Sequence, residues 1–261
     1  MVNVRWKIRE HKELNNAFKL LNMTERHSYV KEILSRDYRK RMYQIWKELP
    51  AMVLKYYGIV ISDKISPEVF REIFVEEIYF RNGFLPGPND IVIDAGAYYG
   101  DSAIWWVKKF GAKVFAFEPL IDVYNILIEN IKLNNMEDNI IPYNVALGNG
   151  SLENFSINNV NMIVKKEENN KIETKRLDDL EFNRVDLIKI DVEGFELDVL
   201  DGAKNTIMKH RPKIILEVHS KDLFKSCTEF LKKLDYRIEY YGRKTKNEGM
   251  DLVQNLFFTP K

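Results

Sequence analysis

The chain holds one cysteine, Cys227, among its 261 residues. A disulfide within the chain needs two and a thiolate metal knot needs more, so neither can staple this fold. Cys227 itself lies in "LFKSCTEFLKK", a helical pattern in which it is expected simply to pack. No run of 18 apolar residues occurs, so no segment has the length of a membrane-spanning helix, and no membrane insertion is expected. The opening "MVNVRWKIREHKEL" places charges where a secretory leader needs apolar side chains, which predicts a cytoplasmic location. Charge of one sign is also missing: 40 Lys and Arg face 39 Asp and Glu, a net charge of +1. Nothing global therefore attracts nucleic acid or a membrane surface. Internal repeats and low-complexity linkers are absent as well.

The exception to neutrality is local. Residues 1–50 carry 12 Lys and Arg against 6 Asp and Glu. A solvated helical surface explains this excess, and docking of an acidic acceptor or partner is the alternative. "HKELNNAFKLLN" puts Leu14, Phe18 and Leu21 on one stripe, and the following segment spaces Tyr29, Ile33, Tyr43 and Trp46 near helical intervals. "SPEVFREIFVEEIYF" predicts a further helix, with Ser66 as N-cap, Pro67 in the first turn, and Phe70, Phe74 and Ile78 inward. "NGFLPGPND", with two glycines and two prolines, reads as a turn. It predicts a helical accessory region over 1–82 and a main domain over 83–261. The helices could serve as a lid, as an acceptor platform or as the interface of a homo-oligomer.

Beyond that turn, short apolar strands alternate with amphipathic helices. "IVIDAG", "KVFAFEP", "NIIPYNVALG", "DLIKIDVEG" and "KIILEVHS" are strands, with helices between them. "NFSINNVNMIVKK" predicts a hairpin turned at Asn158 and Asn159. The alternation predicts an α/β fold with a mostly parallel sheet covered on both faces. The last two strands, "YRIEYY" and "LVQNLFFT", are separated by too few residues for a parallel crossover and are therefore expected to pair antiparallel.

Open parallel sheets bind ligands beyond the carboxyl ends of their strands. Here those ends read Asp94, Glu118, Asp191 and Glu217. Such a crevice suits a ligand rich in donors or positive charge. After the first strand, Gly96 to Gly100 spell G-A-Y-Y-G rather than the dinucleotide G-x-G-x-x-G. Ala97, Tyr98 and Tyr99 would crowd a pyrophosphate, and a Walker loop is absent. A nucleoside without phosphate and with a cationic tail, S-adenosylmethionine, fits what remains. The expected cofactor contacts are Asp94 near the ammonium, Gly96, Ala97, Tyr98, Gly100 and Ser102 along the turn, and Glu118 on the ribose hydroxyls. Asn144 on the adenine side and Asp191 complete them.

"VIDAGAYYGDSA", "FEPLIDVYNILIENIKLNN", "NVALG", "KRLDDL", "DLIKIDVEGFELDVLDGA" and "ILEVH" resemble, in order and spacing, FkbM-type S-adenosylmethionine-dependent methyltransferases over about residues 80 to 220. The resemblance implies a Rossmann-like class I methyltransferase sheet of seven strands, the last antiparallel. It also implies O-methylation of a hydroxyl on a sugar, glycan or other small-molecule acceptor. Tyr98 and Tyr99 depart from the smaller pair that is common in the family. An RNA methyltransferase, suggested by "LIENIKLNN" and the basic N-terminus, and a non-catalytic protein of the same fold are the alternatives; no RNA-binding module is visible.

Strand alternation puts Lys189 and Asp191 on one face, and Glu217 and His219 on another that the family's strand order brings alongside. An alcohol is a poor nucleophile, so a base helps, and neutral His219 is expected in that role with Glu217 orienting it. Asp191 is expected to contact the acceptor hydroxyl or the cofactor's sulfonium end, and Lys189 to partner the carboxylates. A divalent metal on Asp191, Glu217 and His219 is the rival and is not favoured, because hard ions want more oxygen ligands. Glu193 reads as a turn or cap residue.

Overall fold

The computed structural model describes residues 50–261 apart from 155, 159–162, 166–170 and 246–251. Two compact units divide the chain, residues 1–77 and 78–261, so Ile78 to Asn82 fall in the second. The helices expected between residues 10 and 49 lie outside the described residues. Of the first unit, residues 50–57 are helical. That helix ends at Gly58, which adopts a positive φ of 61°. The long helix expected from Ser66 to Phe80 is instead a 3-10 turn over Pro67–Phe70 and one α-turn over Arg71–Phe74. Glu77 then takes a left-handed φ of 49°, and Ile78 and Tyr79 form a turn.

The second unit is built on seven strands: β1 Ile91–Ala95, β2 Lys113–Phe117, β3 Ile140–Tyr143, β4 Leu187–Ile190, β5 Lys213–Val218, β6 Tyr236–Thr245 and β7 Val253–Pro260. Their order in the sheet is β6-β7-β5-β4-β1-β2-β3. All neighbouring pairs from β5 to β3 are parallel, and β7 runs antiparallel to both β5 and β6. This is the mostly parallel seven-stranded sheet with a reversed last strand. The helices are α1 Asp101–Phe110, α2 Ile121–Leu133, α3 Glu196–Gly202, α4 Lys204–His210 and α5 Lys221–Lys233.

A strand covered on both faces must be apolar on both, and β4 is buried at all four positions. Ile93, Ile188, Ile190, Ile214, Leu216 and Leu256 are fully buried in one cluster. Each such side chain contributes about 1.5–3 kcal/mol by leaving water. Local signals bound the helices. Gly111 takes a left-handed φ of 71° after α1, and the Ser220 hydroxyl accepts the Leu223 N–H to cap α5.

Two predicted elements are split. The helix expected after Gly194 divides at Ala203 because the Asp178 carboxylate accepts the Asn205 and Thr206 N–H groups at 3.0 and 2.8 Å, which makes a new N-terminus for α4. The strand expected through Leu147 stops at Tyr143, and Ala146–Leu147 pairs instead with Lys171–Lys175. The predicted hairpin forms between Ser156–Asn158 and Ile163–Lys165; the rest of its turn, after Asn158, lies outside the described residues.

Candidate active site

The turn after β1 is held from several sides. The N–H groups of Gly96 and Ala97 both donate to the Phe117 carbonyl, at 3.0 and 2.9 Å. Gly96 has φ 78°, and a Cβ there would lie 1.8 Å from the Asp191 carbonyl oxygen. Gly100 has φ 86°, and its Cβ would meet Leu127 Cδ1 at 2.5 Å. Both glycines were expected to admit a cofactor. The structure gives them another reason: they let the β1 turn press against the end of β4 and against α2.

Asp94 also departs from expectation. It is fully buried. The Lys189 ammonium pairs with its Oδ1 at 3.1 Å and the Ser102 hydroxyl donates to its Oδ2 at 2.6 Å. Burial raises its pKa, against the opposing pull of Lys189 and Ser102. Asp94 and Ser102 therefore anchor the turn from beneath rather than reaching into the crevice. Lys189 completes the anchor by donating to the Gly96 carbonyl at 2.6 Å. Burial works to lower the Lys189 pKa, but the charges of Asp94, Asp191 and Asp101 outweigh it and hold the ammonium protonated.

Glu118 lies just past β2, at the carboxyl end of that strand, and is buried. Its Oε2 accepts the Tyr98 N–H at 3.0 Å and its Oε1 accepts the Leu120 N–H at 2.9 Å. Each carboxylate oxygen has a second lone pair, enough to accept a pair of vicinal hydroxyls. Burial pushes this carboxyl up to about 7, although Leu120, Tyr98 and Lys189 favour the charged form. The exposed Asn144 donates from Nδ2 to the carbonyls of Glu118 and Pro119, at 2.9 and 3.0 Å, and so braces the same loop. Tyr98 and Tyr99 place their ring centroids 3.8 Å apart at the turn.

The second cluster converges beyond β4 and β5. Asp191 is partly exposed, with 25% of its side chain accessible, and its Oδ1 lies 3.6 Å from His219 Nε2. Its Oδ2 accepts the Tyr79 hydroxyl at 2.6 Å. The same hydroxyl lies 3.2 Å from Glu217 Oε2, which also accepts Asn255 Nδ2 at 2.5 Å. His219 is oriented by Glu196, not by Glu217. Its Nδ1 lies 2.7 Å from Glu196 Oε1, while Nε2 faces Glu193 Oε2 at 3.5 Å as well as Asp191. Burial works to lower the His219 pKa, but the Glu196 hydrogen bond and the charges of Asp191, Glu196 and Glu193 push it up to about 10. These neighbours favour the imidazolium, which has no lone pair to take a proton, and so work against the role of base expected of His219. Glu193 joins the cluster too; burial pushes its carboxyl up to about 7 against the charge of His219.

Ligand-type atoms of Asp191, Glu217 and His219 lie within 4.8 Å of one another. That spacing is within reach of one ion, but each of the three is already engaged by Tyr79, Asn255 or a neighbouring charge, and hard ions want more oxygen ligands. Three members of the site escaped the sequence reading. Glu196 stands inside the motif "DVEGFE", and its spacing from His219 was legible only in space. Asn255 was signalled faintly, as a polar residue in an apolar strand. Tyr79 had no signal, since its segment read as helix.

A family profile described as the methyltransferase FkbM domain matches residues 94–238, from the end of β1 into β6. The chain is 30% identical over 193 residues to methyltransferase sdnD of Sordaria araneosa, covering 58% of this chain and 73% of that protein. It is 28% identical over 200 residues to the AMB antimetabolite synthetase AmbE of Pseudomonas aeruginosa, covering 59% of this chain and 9% of AmbE. Among solved structures, the methyltransferase FkbM of Methylobacillus flagellatus superposes with a TM-score of 0.51 at 20% identity, covering 96% of this chain and 59% of that one. The METTL16 methyltransferase domain gives 0.52 at 14% identity, covering 82% and 79%. These structural likenesses show the fold. The chain thus spans a small part of AmbE and about three fifths of the M. flagellatus protein.

Proposed function

This chain belongs to the methyltransferase FkbM family, and from that premise we propose that it transfers the methyl group of S-adenosylmethionine to a hydroxyl oxygen of a sugar, glycan or other small-molecule acceptor. The observation that carries the reading is Glu118: a carboxylate at the mouth of β2, held by two backbone N–H groups, with lone pairs to spare for a ribose. Gly96, Ala97 and Tyr98 would line the cofactor beside it, with Asn144 bracing the loop that meets the adenine.

When bound, S-adenosylmethionine supplies a methyl carbon activated by its sulfonium; the acceptor oxygen forms the new bond and the sulfur keeps the electron pair. The work left to the protein is to place the acceptor and receive its proton. Asp191 does both in this proposal. It is a partly exposed carboxylate at the end of β4, and it is paired rather than solvated. His219 provides positive charge beside it, and Glu217 with Tyr79 limits its rotation. The cluster is chemically suited to a neutral, polyhydroxylated acceptor, which can donate to Asp191, Glu193 and Glu217.

The test is calorimetry with S-adenosylmethionine and S-adenosylhomocysteine, followed by transfer of labelled methyl to hydroxylated glycans, lipids and RNA. Binding with label on a glycan or small alcohol is expected. Folded protein that binds neither nucleoside removes the proposal, and label on RNA alone, weakening steeply with salt, replaces the acceptor class.

A further inference from the structure

Glu196 has no place in the chemistry above, yet it is the most completely enclosed carboxylate of the second cluster, with 0% exposure. Its Oε1 accepts the Gly194 N–H at 2.8 Å and meets His219 Nδ1 at 2.7 Å. Gly194 has φ 111°, so this one oxygen ties the unusual turn after β4 to the imidazole at the end of β5. The opposite ring nitrogen points to Asp191 Oδ1 and Glu193 Oε2 at 3.6 and 3.5 Å. The imidazole is therefore clamped on the protein side and presented on the crevice side. We infer that Glu196 is a positioning residue for methyl transfer: through His219 it holds a fixed imidazolium beside Asp191 and so aims that carboxylate at the acceptor hydroxyl.

The inference rests on the reading of the site just proposed and extends it to a residue that touches neither substrate nor cofactor. Without Glu196, Nδ1 would lose its hydrogen bond and the ring could turn. His219 would also lose the charge nearest to it. The remaining groups that face it are Asp191 and Glu193 from the loop after β4, with Glu217 of β5 close by. Cys227 of α5 and Asp198 of α3 act on the Glu196 side, where both carboxylates push the buried thiol's pKa up after burial itself. The hydrogen bond of Glu196 to His219 and its full enclosure make it the partner that holds the charge; the two carboxylates in the crevice are farther away and partly in water.

The experiment is Glu196→Gln in the full chain, read by imidazole NMR titration and by methyl-transfer kinetics from pH 6 to 9. The His219 midpoint should fall by roughly 1–3 pH units, as for loss of an adjacent opposite charge. The kcat at pH 8 should fall by up to about 10-fold, the loss expected if the midpoint drops to about 7 and roughly a tenth of His219 stays charged, with KM for S-adenosylmethionine unchanged. The kcat of the variant relative to wild type, at saturating cofactor, should recover as the pH is lowered and His219 recharges, which a merely structural defect would not do. An unshifted midpoint, or a loss equal at every pH, overturns the inference. If the variant does not fold, the wild-type titration decides: a His219 midpoint below about 7, near its ordinary value, overturns it. Wild-type protein inactive on every acceptor, but with a high His219 midpoint, sinks the proposed function and leaves Glu196 and His219 a structural pair.

Discussion

Replacing Glu118 with Gln tests the cofactor site with the least disturbance. The carboxylate gives one lone pair on each oxygen to a loop N–H, from Tyr98 at 3.0 Å and from Leu120 at 2.9 Å. Gln keeps the shape but offers one oxygen and one NH₂. The NH₂ would confront a backbone N–H, and only one side could still accept a ribose hydroxyl. The loss is one loop bond, one ribose bond and the charge that strengthens both. The loop bond is lost from free and bound protein alike, so Kd reads the ribose bond, and a hydrogen bond to a charged group contributes about 1.5–3 kcal/mol to the complex. At about 1.4 kcal/mol per tenfold, Kd for S-adenosylmethionine should rise roughly 10- to 10²-fold. Isothermal calorimetry at pH 8 reads this directly, and circular dichroism checks that the sheet survives.

The same carboxyl predicts a pH dependence. Burial pushes it up to about 7, and only the ionised form can accept two hydroxyls. Wild-type affinity should therefore weaken as the pH falls through about 7, and the Gln variant should not show that limb. Folding stability slopes the other way. The folded carboxyl holds its proton to a higher pH than the unfolded one, so this group adds stability to the free protein as the pH falls through 7. An unaltered Kd in Glu118→Gln, or wild-type affinity flat from pH 6 to 8, would refute the assignment of Glu118 to the ribose.

Gly96→Ala should destabilise the protein by about 2–4 kcal/mol in urea titration, because its Cβ would lie 1.8 Å from a backbone oxygen at a φ of 78°; a loss under about 0.5 kcal/mol, the range of ordinary surface changes, would mean the turn relaxes freely. Lys189→Met strands Asp94, which is fully buried, without its ionic partner, and should cost about 3–5 kcal/mol in the same assay. Little change there would show that the pair contributes no net stability. Methyl transfer should survive exhaustive chelation by EDTA; activity lost and then restored by Mg²⁺ or Mn²⁺ would reassign Asp191, Glu217 and His219 as ligands.

Much of the scaffold was legible in order along the chain. β1, β2 and β4 are short apolar runs because both faces of each strand are covered, and α1 ends at Gly111, the glycine that closes its helical pattern in the sequence. The antiparallel pairing of β6 with β7 followed from the brevity of their link, since a chain that short cannot cross back over a sheet. The split at Ala203 was not legible, because the group that caps α4 is Asp178, far away in sequence.

The order of apolar runs, turns and strand-end acids determined the α/β sheet and the rim on which the site lies, because strand periodicity and connection length are local properties of a chain. What each acid does there was decided only in three dimensions. Asp94 is spent on Lys189 and Ser102 inside the fold, and Glu118 accepts the Tyr98 and Leu120 N–H groups at the mouth of β2. Glu196 rather than Glu217 orients His219, and Tyr79 arrives from another segment to share its hydroxyl between Asp191 and Glu217. Charge and hydrogen bonding act over a few ångströms of space, and residues 79, 191, 196 and 219 come within that range only when the sheet has closed.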